Sequence, residues 1–460
     1  MEGVDTIAAI STPPGVGGIG VVRMSGPAAI AVAQRVFVRP DGQPLRQPAS
    51  HRMYYGAIVD AAGARVDEVM LCVMRQPRSY TREDVVEISG HGGTLVTQRV
   101  LDTVLAQGAR VAEPGEFTKR AFLNGRLDLT QAEAVIDLIQ ARTLASQRAA
   151  LHQLDGALSR VLRELRDELL QVSVYLEAGI DFPEEDIELL SAGGLVERLD
   201  AVEVRLTRLL ATFERGRIVR EGLATAIIGR PNVGKSSLLN ALLGRDRAIV
   251  SPQPGTTRDT IEAEWELDGL WLRIIDTAGI RSTDDVIEQE GVRRAREVVE
   301  RAELLIVVLD GSAALLPDDH LLLTETVAKP RVLVRNKCDL PWRWCVSDLG
   351  GPHQEAPLLA VSATQGDGLA ELEQTIVQQA IGHAPLNQDE VILTQARHRQ
   401  SLAVAVANVR TAASGLGQGT PLEFVAFDVS EAIRQLSAVL GEDDAGKVLD
   451  LIFSQFCIGK

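Results

Sequence analysis

The octapeptide Gly229-Arg-Pro-Asn-Val-Gly-Lys-Ser236 sets a lysine and a hydroxyl directly after a glycine-rich turn. That spacing, G-x-x-x-x-G-K-S, suits the binding of phosphate. The glycines let successive backbone N–H groups face phosphate oxygens, and a following helix adds the positive end of its dipole. Lys235 is then expected to reach the β- and γ-phosphates and to act in catalysis, while the Ser236 hydroxyl binds Mg²⁺. Asn232, Val233, Gly234 and Ser237 complete the expected cradle.

Three further motifs follow in order. Asp276-Thr277-Ala278-Gly279 offers a carboxylate for the Mg²⁺ shell and a glycine amide for the γ-phosphate. Asn336-Lys337-Cys338-Asp339 offers a carboxylate that can accept from guanine N1–H and N2–H₂. Adenine lacks that donor pair, so it would leave the carboxylate unpaired. Ser362-Ala363-Thr364 can give a backbone amide to guanine O6. Between the phosphate loop and Asp276, Gly255-Thr256-Thr257-Arg258-Asp259 supplies a threonine for the Mg²⁺ shell, and Thr257 is the expected ligand. Each short motif is weak alone. The ordered set implies GTP binding and hydrolysis.

The position after Gly279 is Ile280, which cannot orient a water as the glutamine of Ras-like enzymes does. Glu288 is the candidate base or water-orienting group, with a solvated helix charge as the alternative. Arg258, Arg281 or a bound monovalent cation could neutralise charge developing on the phosphates.

These motifs need strands to present them. Short apolar runs at 224–228, 271–275, 304–309, 331–334 and 358–361 alternate with helical segments. That alternation predicts a mostly parallel sheet with helices on both faces, in a domain spanning 217–384. Before it, leucines and valines recur every three or four residues over 151–176 and again over 195–213, predicting two long helices that pack antiparallel. Helix returns at 394–412 and 430–439. The phosphate-binding domain is thus expected as an insert in a helical bundle made of 121–216 and 385–460. Residues 1–120 read as mixed α and β, with strands at 6–10, 19–24 and 69–74 between Gly- and Pro-rich turns. The expected class is multidomain: an α+β N-terminal domain, a helical bundle, and an inserted Ras-like α/β domain.

A chain of 460 residues exceeds one core, and three domains fit it. The net charge of −16 argues against non-specific nucleic-acid binding, which needs clustered Lys and Arg. The four cysteines form no Cys-x-x-Cys pair, so neither zinc nor disulfides are expected. Glu2 and Asp5 stand where a secretory leader would be basic, and no apolar run reaches the roughly 20 residues of a membrane span. A cytoplasmic protein is expected.

Over nearly its whole length the chain resembles the tRNA modification GTPase MnmE (TrmE) family. The resemblance rests on DTIAAISTPPGVGGIGVVRMSG, YTREDVVEISGHGG and PGEFTKRAFLNGRLDLTQAEAVIDLI near the N-terminus, on the inserted GTPase motifs, and on the terminal FCIGK. It implies an N-terminal folate-binding and dimerisation domain. It also implies a homodimer, and an FAD-dependent partner of the GidA family. The pair installs an aminomethyl-type group at carbon 5 of the tRNA wobble uridine, with a one-carbon tetrahydrofolate as donor. By the same resemblance, K⁺ takes the place of an arginine finger, contacted by Asn232, Ser251, Gln253 and Thr256. The loop Ser251-Pro252-Gln253-Pro254-Gly255-Thr256 lines the nucleotide, and Glu288 is catalytic. Folate contacts fall on Arg23, Glu83, Arg126 and Lys460; arginine stands at 126 where the family often has lysine. The resemblance gives Cys457 a chemical role, whereas a lone cysteine in an apolar segment reads as a small buried hydrophobe. A regulatory switch of the ribosome-assembly type is the competing reading, and the folate-type segments and Cys457–Lys460 weigh against it.

Overall fold

The computed structural model describes residues 5–181, 192–245, 261–275, 297–382, 390–442 and 446–459. They form two compact units. One gathers the described residues up to Ile136, Gln153–Gln171 and those from Ser430 onward; the other gathers Asp137–His152 and the described part of Val172–Val429.

The first unit is built on a seven-stranded sheet. Its strands are β1 (Ile7–Ile10), β2 (Gly17–Ser25), β3 (Phe37–Val38), β4 (Arg52–Val59), β5 (Arg65–Met74), β6 (Val85–Gly92) and β7 (Arg110–Val111), in the order β3-β4-β5-β6-β2-β1-β7. Neighbours are antiparallel except β1 and β7. Alternation along β2, β5 and β6 sends Val22, Met24, Leu71, Val73, Val86 and Ile88 to one face. There they pack under α1 (Ala29–Val36) and α2 (Thr94–Leu105). The residues between them face the other way, where Ile7 and Ala9 meet Phe117 of α3 (Glu116–Leu123) and Tyr80. α4 spans Leu129–Gln140.

The expected helix over 151–176 is two helices. α5 (Leu144–Leu154) ends and α6 (Ala157–Asp181) begins across Gly156, whose φ of 78° is a left-handed conformation that interrupts the helical ladder. Leu158, Leu162, Leu165, Leu169, Val172 and Leu176 form the buried stripe of α6, but Leu151 is exposed.

In the second unit, α7 (Ala192–Ala211) buries Leu195, Leu199, Val202, Leu206 and Leu209 and packs along α12 (Ala396–Gln418). α8 (Phe213–Glu221) leads into a six-stranded sheet. Its strands are β8 (Leu223–Ile228), β9 (Ile261–Leu267), β10 (Leu270–Ile275), β11 (Leu304–Asp310), β12 (Arg331–Asn336) and β13 (Leu358–Val361), in the order β13-β12-β11-β8-β10-β9. All pairings are parallel except that of β9 with β10. β8, β11 and β12 are buried on both faces, which explains the apolar runs 226–228, 304–309 and 332–334 within them. α9 (Lys235–Arg245) and α11 (Leu369–Ile381) supply Leu238, Leu242, Leu372 and Ile376 to the core on one face. α10 (Pro317–Glu325) supplies Leu323 on the other, beside Trp344 and Leu349. α13 (Leu422–Leu440) leads to α14 (Gly446–Ser454), which belongs to the first unit. No helix among the described residues is long and apolar enough to cross a membrane.

Candidate functional site

β8 ends at Ile228, and residues 229–234 turn back into α9, whose first residue is Lys235. Two glycines are required here. Gly229 has φ 155°, and a Cβ on it would lie 2.3 Å from the Val308 carbonyl oxygen. Gly234 has φ 98°, and a Cβ would lie 2.2 Å from Asn336 Nδ2. Asn232 is also left-handed, at φ 65°, a region asparagine tolerates better than most residues. Val233 is buried beneath the loop, while Asn232 and Ser237 are exposed.

Lys235 Nζ donates to the carbonyl oxygens of Gly229 at 2.9 Å and Arg230 at 2.8 Å. Burial pushes its pKa below the usual lysine value. The ammonium thus lies folded back on the loop that curls around it. Ser236 follows on the first turn of α9.

Asn336 joins the loop to the guanine-type motifs. It ends β12, and its Nδ2 donates to the buried Val233 carbonyl oxygen at 2.8 Å. Its Oδ1 accepts from Ala363 N–H at 3.1 Å, and its own carbonyl accepts from Gly311 N–H at 2.9 Å. Lys337 Nζ pairs with Asp310 Oδ2 at 2.6 Å. Burial alone would raise the Asp310 carboxyl, but Lys337 and Ser312 outweigh it and hold it below the usual range. Asp339 is exposed, and its Oδ1 accepts from Ser362 Oγ at 2.6 Å. Ser362 N–H donates to Asp367 O at 3.0 Å. The parallel sheet therefore brings the phosphate loop, 336–339 and 362–364 to the carboxyl ends of β8, β12 and β13, where open α/β sheets bind ligands.

Ser251, Pro252, Gln253, Pro254, Gly255, Thr256, Thr257, Asp276, Thr277, Ala278, Gly279 and Glu288 lie outside the described residues. So do Arg258, Ile280, Arg281 and Lys460. β9 and β10 nevertheless fix where two of these segments attach, since β9 follows 246–260 and β10 precedes 276–296.

A second cluster lies in the first unit, on the sheet face away from α1 and α2. Arg23 of β2 donates to Glu87 of β6 at 2.9 Å and rests over the rings of Tyr80 (5.6 Å) and Phe117 (5.7 Å). Arg126 lies over the same Tyr80 ring at 4.7 Å and donates to the Tyr80 carbonyl at 2.8 Å. Glu83 accepts from Ser25 Oγ at 2.7 Å and from Arg120 at 3.2 Å. Arg23 and Arg126, two of the three described residues predicted for folate, therefore meet at the Tyr80 ring, while Glu83 pairs with Ser25 and Arg120. Sequence reasoning missed Tyr80, Glu87 and Arg120, although YTREDVVE already places Tyr80, Glu83 and Glu87 at short spacing.

Cys457 is exposed rather than buried, which removes the reading of it as a core hydrophobe. The segment around it docks in the first unit: Gly459 accepts from Ser11 Oγ at 3.2 Å, and a Cβ on Gly459 would lie 2.4 Å from the Ile10 carbonyl oxygen.

Comparison with known proteins adds an independent line. A family model described as the MnmE helical domain matches residues 129–457, and one described as the GTP-binding protein TrmE N-terminus matches residues 6–126. A protein of Geobacter sulfurreducens named tRNA modification GTPase MnmE is 48% identical over 458 residues, covering 99% of each chain. Proteins of the same name from Levilactobacillus brevis (46% identical, 99% of this chain and 98% of that one) and Geobacillus thermodenitrificans (45%, 100% of both) are also similar.

Proposed function

The chain belongs to the MnmE family of tRNA modification GTPases, and from that premise we propose that it spends GTP to drive a one-carbon modification of the tRNA wobble uridine. GTP hydrolysis is its enzymatic activity. Our reading assigns the bound nucleotide to the phosphate loop, Asn232 to Ser237, with guanine held by Asn336, Lys337, Asp339 and residues 362–364. Ser236 and Thr257 would hold Mg²⁺, which supplies charge neutralisation at the phosphates. Asn232, Ser251, Gln253 and Thr256 would hold K⁺. The exposed, left-handed Asn232 at the tip of the loop fits such a contact. Lys235 and Glu288 would assist hydrolysis.

The Arg23–Tyr80–Arg126 cluster carries the folate part of the proposal. A tyrosine ring approached by two guanidiniums suits a flat heterocycle bearing carboxylates. A tetrahydrofolate bound there would supply the carbon unit. Arg23, Glu83, Arg126 and Lys460 would hold and orient it, and Cys457 would serve the modification chemistry. We further propose a homodimer working in the cytoplasm with an FAD-dependent GidA-family partner. Its domains would be 1–120, a helical domain of 121–216 with 385–460, and a GTPase insert at 217–384.

The single observation that carries this reading is the Asn336 bridge between phosphate loop and guanine motif in a chain that also holds the arginine–tyrosine cluster. Equilibrium dialysis of the chain against 5-formyl-tetrahydrofolate, with GTPase rates in K⁺ and in Na⁺ at equal ionic strength, tests it. Folate binding with faster turnover in K⁺ supports the proposal; a chain that ignores folate contradicts it.

A further inference from the structure

Arg230 and Asp319 have no part in the assignments above. Asp319, on the first turn of α10, is fully buried. A buried carboxylate needs partners, and it has two strong ones. Its Oδ2 accepts from Leu316 N–H at 2.9 Å, closing the start of α10. Its Oδ1 accepts from Arg230 Nε at 2.7 Å.

Arg230 is the second residue of the phosphate loop, and its own carbonyl oxygen is one of the two that hold Lys235 Nζ. The other belongs to its neighbour Gly229. Val233 and α9 anchor the loop to the core on one face of the sheet, whereas α10 packs on the opposite face. The ion pair therefore reaches past the carboxyl end of β8, a central strand, and pins the loop from the far side, next to the peptides that position the lysine.

We infer that Asp319 is a positioning residue of the nucleotide site, acting through Arg230 on the loop that presents Lys235. Loss of its charge frees the Arg230 side chain, loosens the 229–230 peptides and leaves Lys235 less well placed for a diphosphate. The cost falls on affinity, which reads how well the loop is preorganised. This inference rests on the phosphate-loop assignment proposed above.

The test uses the full-length chain and Asp319→Asn, which keeps an acceptor for Leu316 N–H but removes the charge. GDP binding by calorimetry should weaken about tenfold, and kcat at saturating GTP should fall as well, because Lys235 also serves hydrolysis. Arg230→Ala should weaken GDP binding similarly, and the double variant should be no weaker than the worse single one, because both act through one contact. Losses that add, or parent-like GDP binding in Asp319→Asn, overturn the inference. Should Asp319→Asn fail to fold, Arg230→Met replaces it: weakened GDP binding supports the inference and parent-like binding overturns it. Lys235→Ala separates the two layers. If it too binds GDP like the parent, the phosphate-loop assignment itself fails.

Discussion

The carboxamide of Asn336 donates to the carbonyl oxygen of Val233 at 2.8 Å across 103 residues of sequence. One side chain thus couples the loop expected to hold phosphate to the strand end expected to hold guanine.

Asn336→Ala should strip that coupling at both ends. The buried Val233 carbonyl and the Ala363 amide would lose their partner, at about 1–3 kcal/mol for each group left unsatisfied. GDP affinity should fall at least about tenfold, and the thermal midpoint should drop. Calorimetric titration alongside a melt checks both; unchanged affinity would show that the bridge does not shape the site.

Glu288→Ala should spare nucleotide binding and slow turnover by about 10²–10⁴-fold, the usual scale of general acid–base assistance. Single-turnover hydrolysis with GTP in excess magnesium measures it. An unaltered rate would remove Glu288 from the mechanism.

Arg126→Glu should separate the two sites. Its guanidinium is exposed, lies over Tyr80, and donates to a backbone carbonyl. Charge reversal should weaken 5-formyl-tetrahydrofolate binding more than about tenfold and leave GTP hydrolysis at the parent rate. Equal folate binding in the variant would place the ligand elsewhere.

Glu116 gives the first unit a predictable response to acid. It is buried and accepts from Arg110 at 2.8 Å, Arg120 at 2.9 Å and the Glu113 amide at 2.8 Å. Burial alone would raise its pKa, but these donors outweigh it and hold the carboxyl below its ordinary value. A depressed folded-state pKa means the stabilisation is complete above the unfolded value, about 4.3, and is lost as pH falls through the folded one. Glu116→Gln should therefore lower the melting midpoint at neutral pH, and the gap to the parent should narrow as pH falls from about 6 toward 3. A gap independent of pH would assign the loss to packing.

Much of the nucleotide site was legible because its chemistry is local. A glycine loop, a lysine and the run Asn336–Asp339 sit within a few residues of strands that announce themselves by the short apolar stretches 226–228 and 332–334. β9 escaped notice because its glutamates alternate with apolar residues in the pattern of a half-exposed strand, unlike the buried parallel strands beside it. The break at Gly156 was hidden by leucines that keep helical spacing across it. Tyr80 and Asp319 were missed for a different reason. Their roles depend on Arg126 and Arg230, which come near only once the chain is folded.

Nucleoside analysis of tRNA tests the central claim most directly. In cells lacking this chain, the wobble uridine should lose its carbon-5 substituent. A copy carrying the parent sequence should restore it, whereas one carrying Cys457→Ser should not, despite normal GTP hydrolysis. A full complement of modified wobble uridine in the cells without the chain would contradict the account.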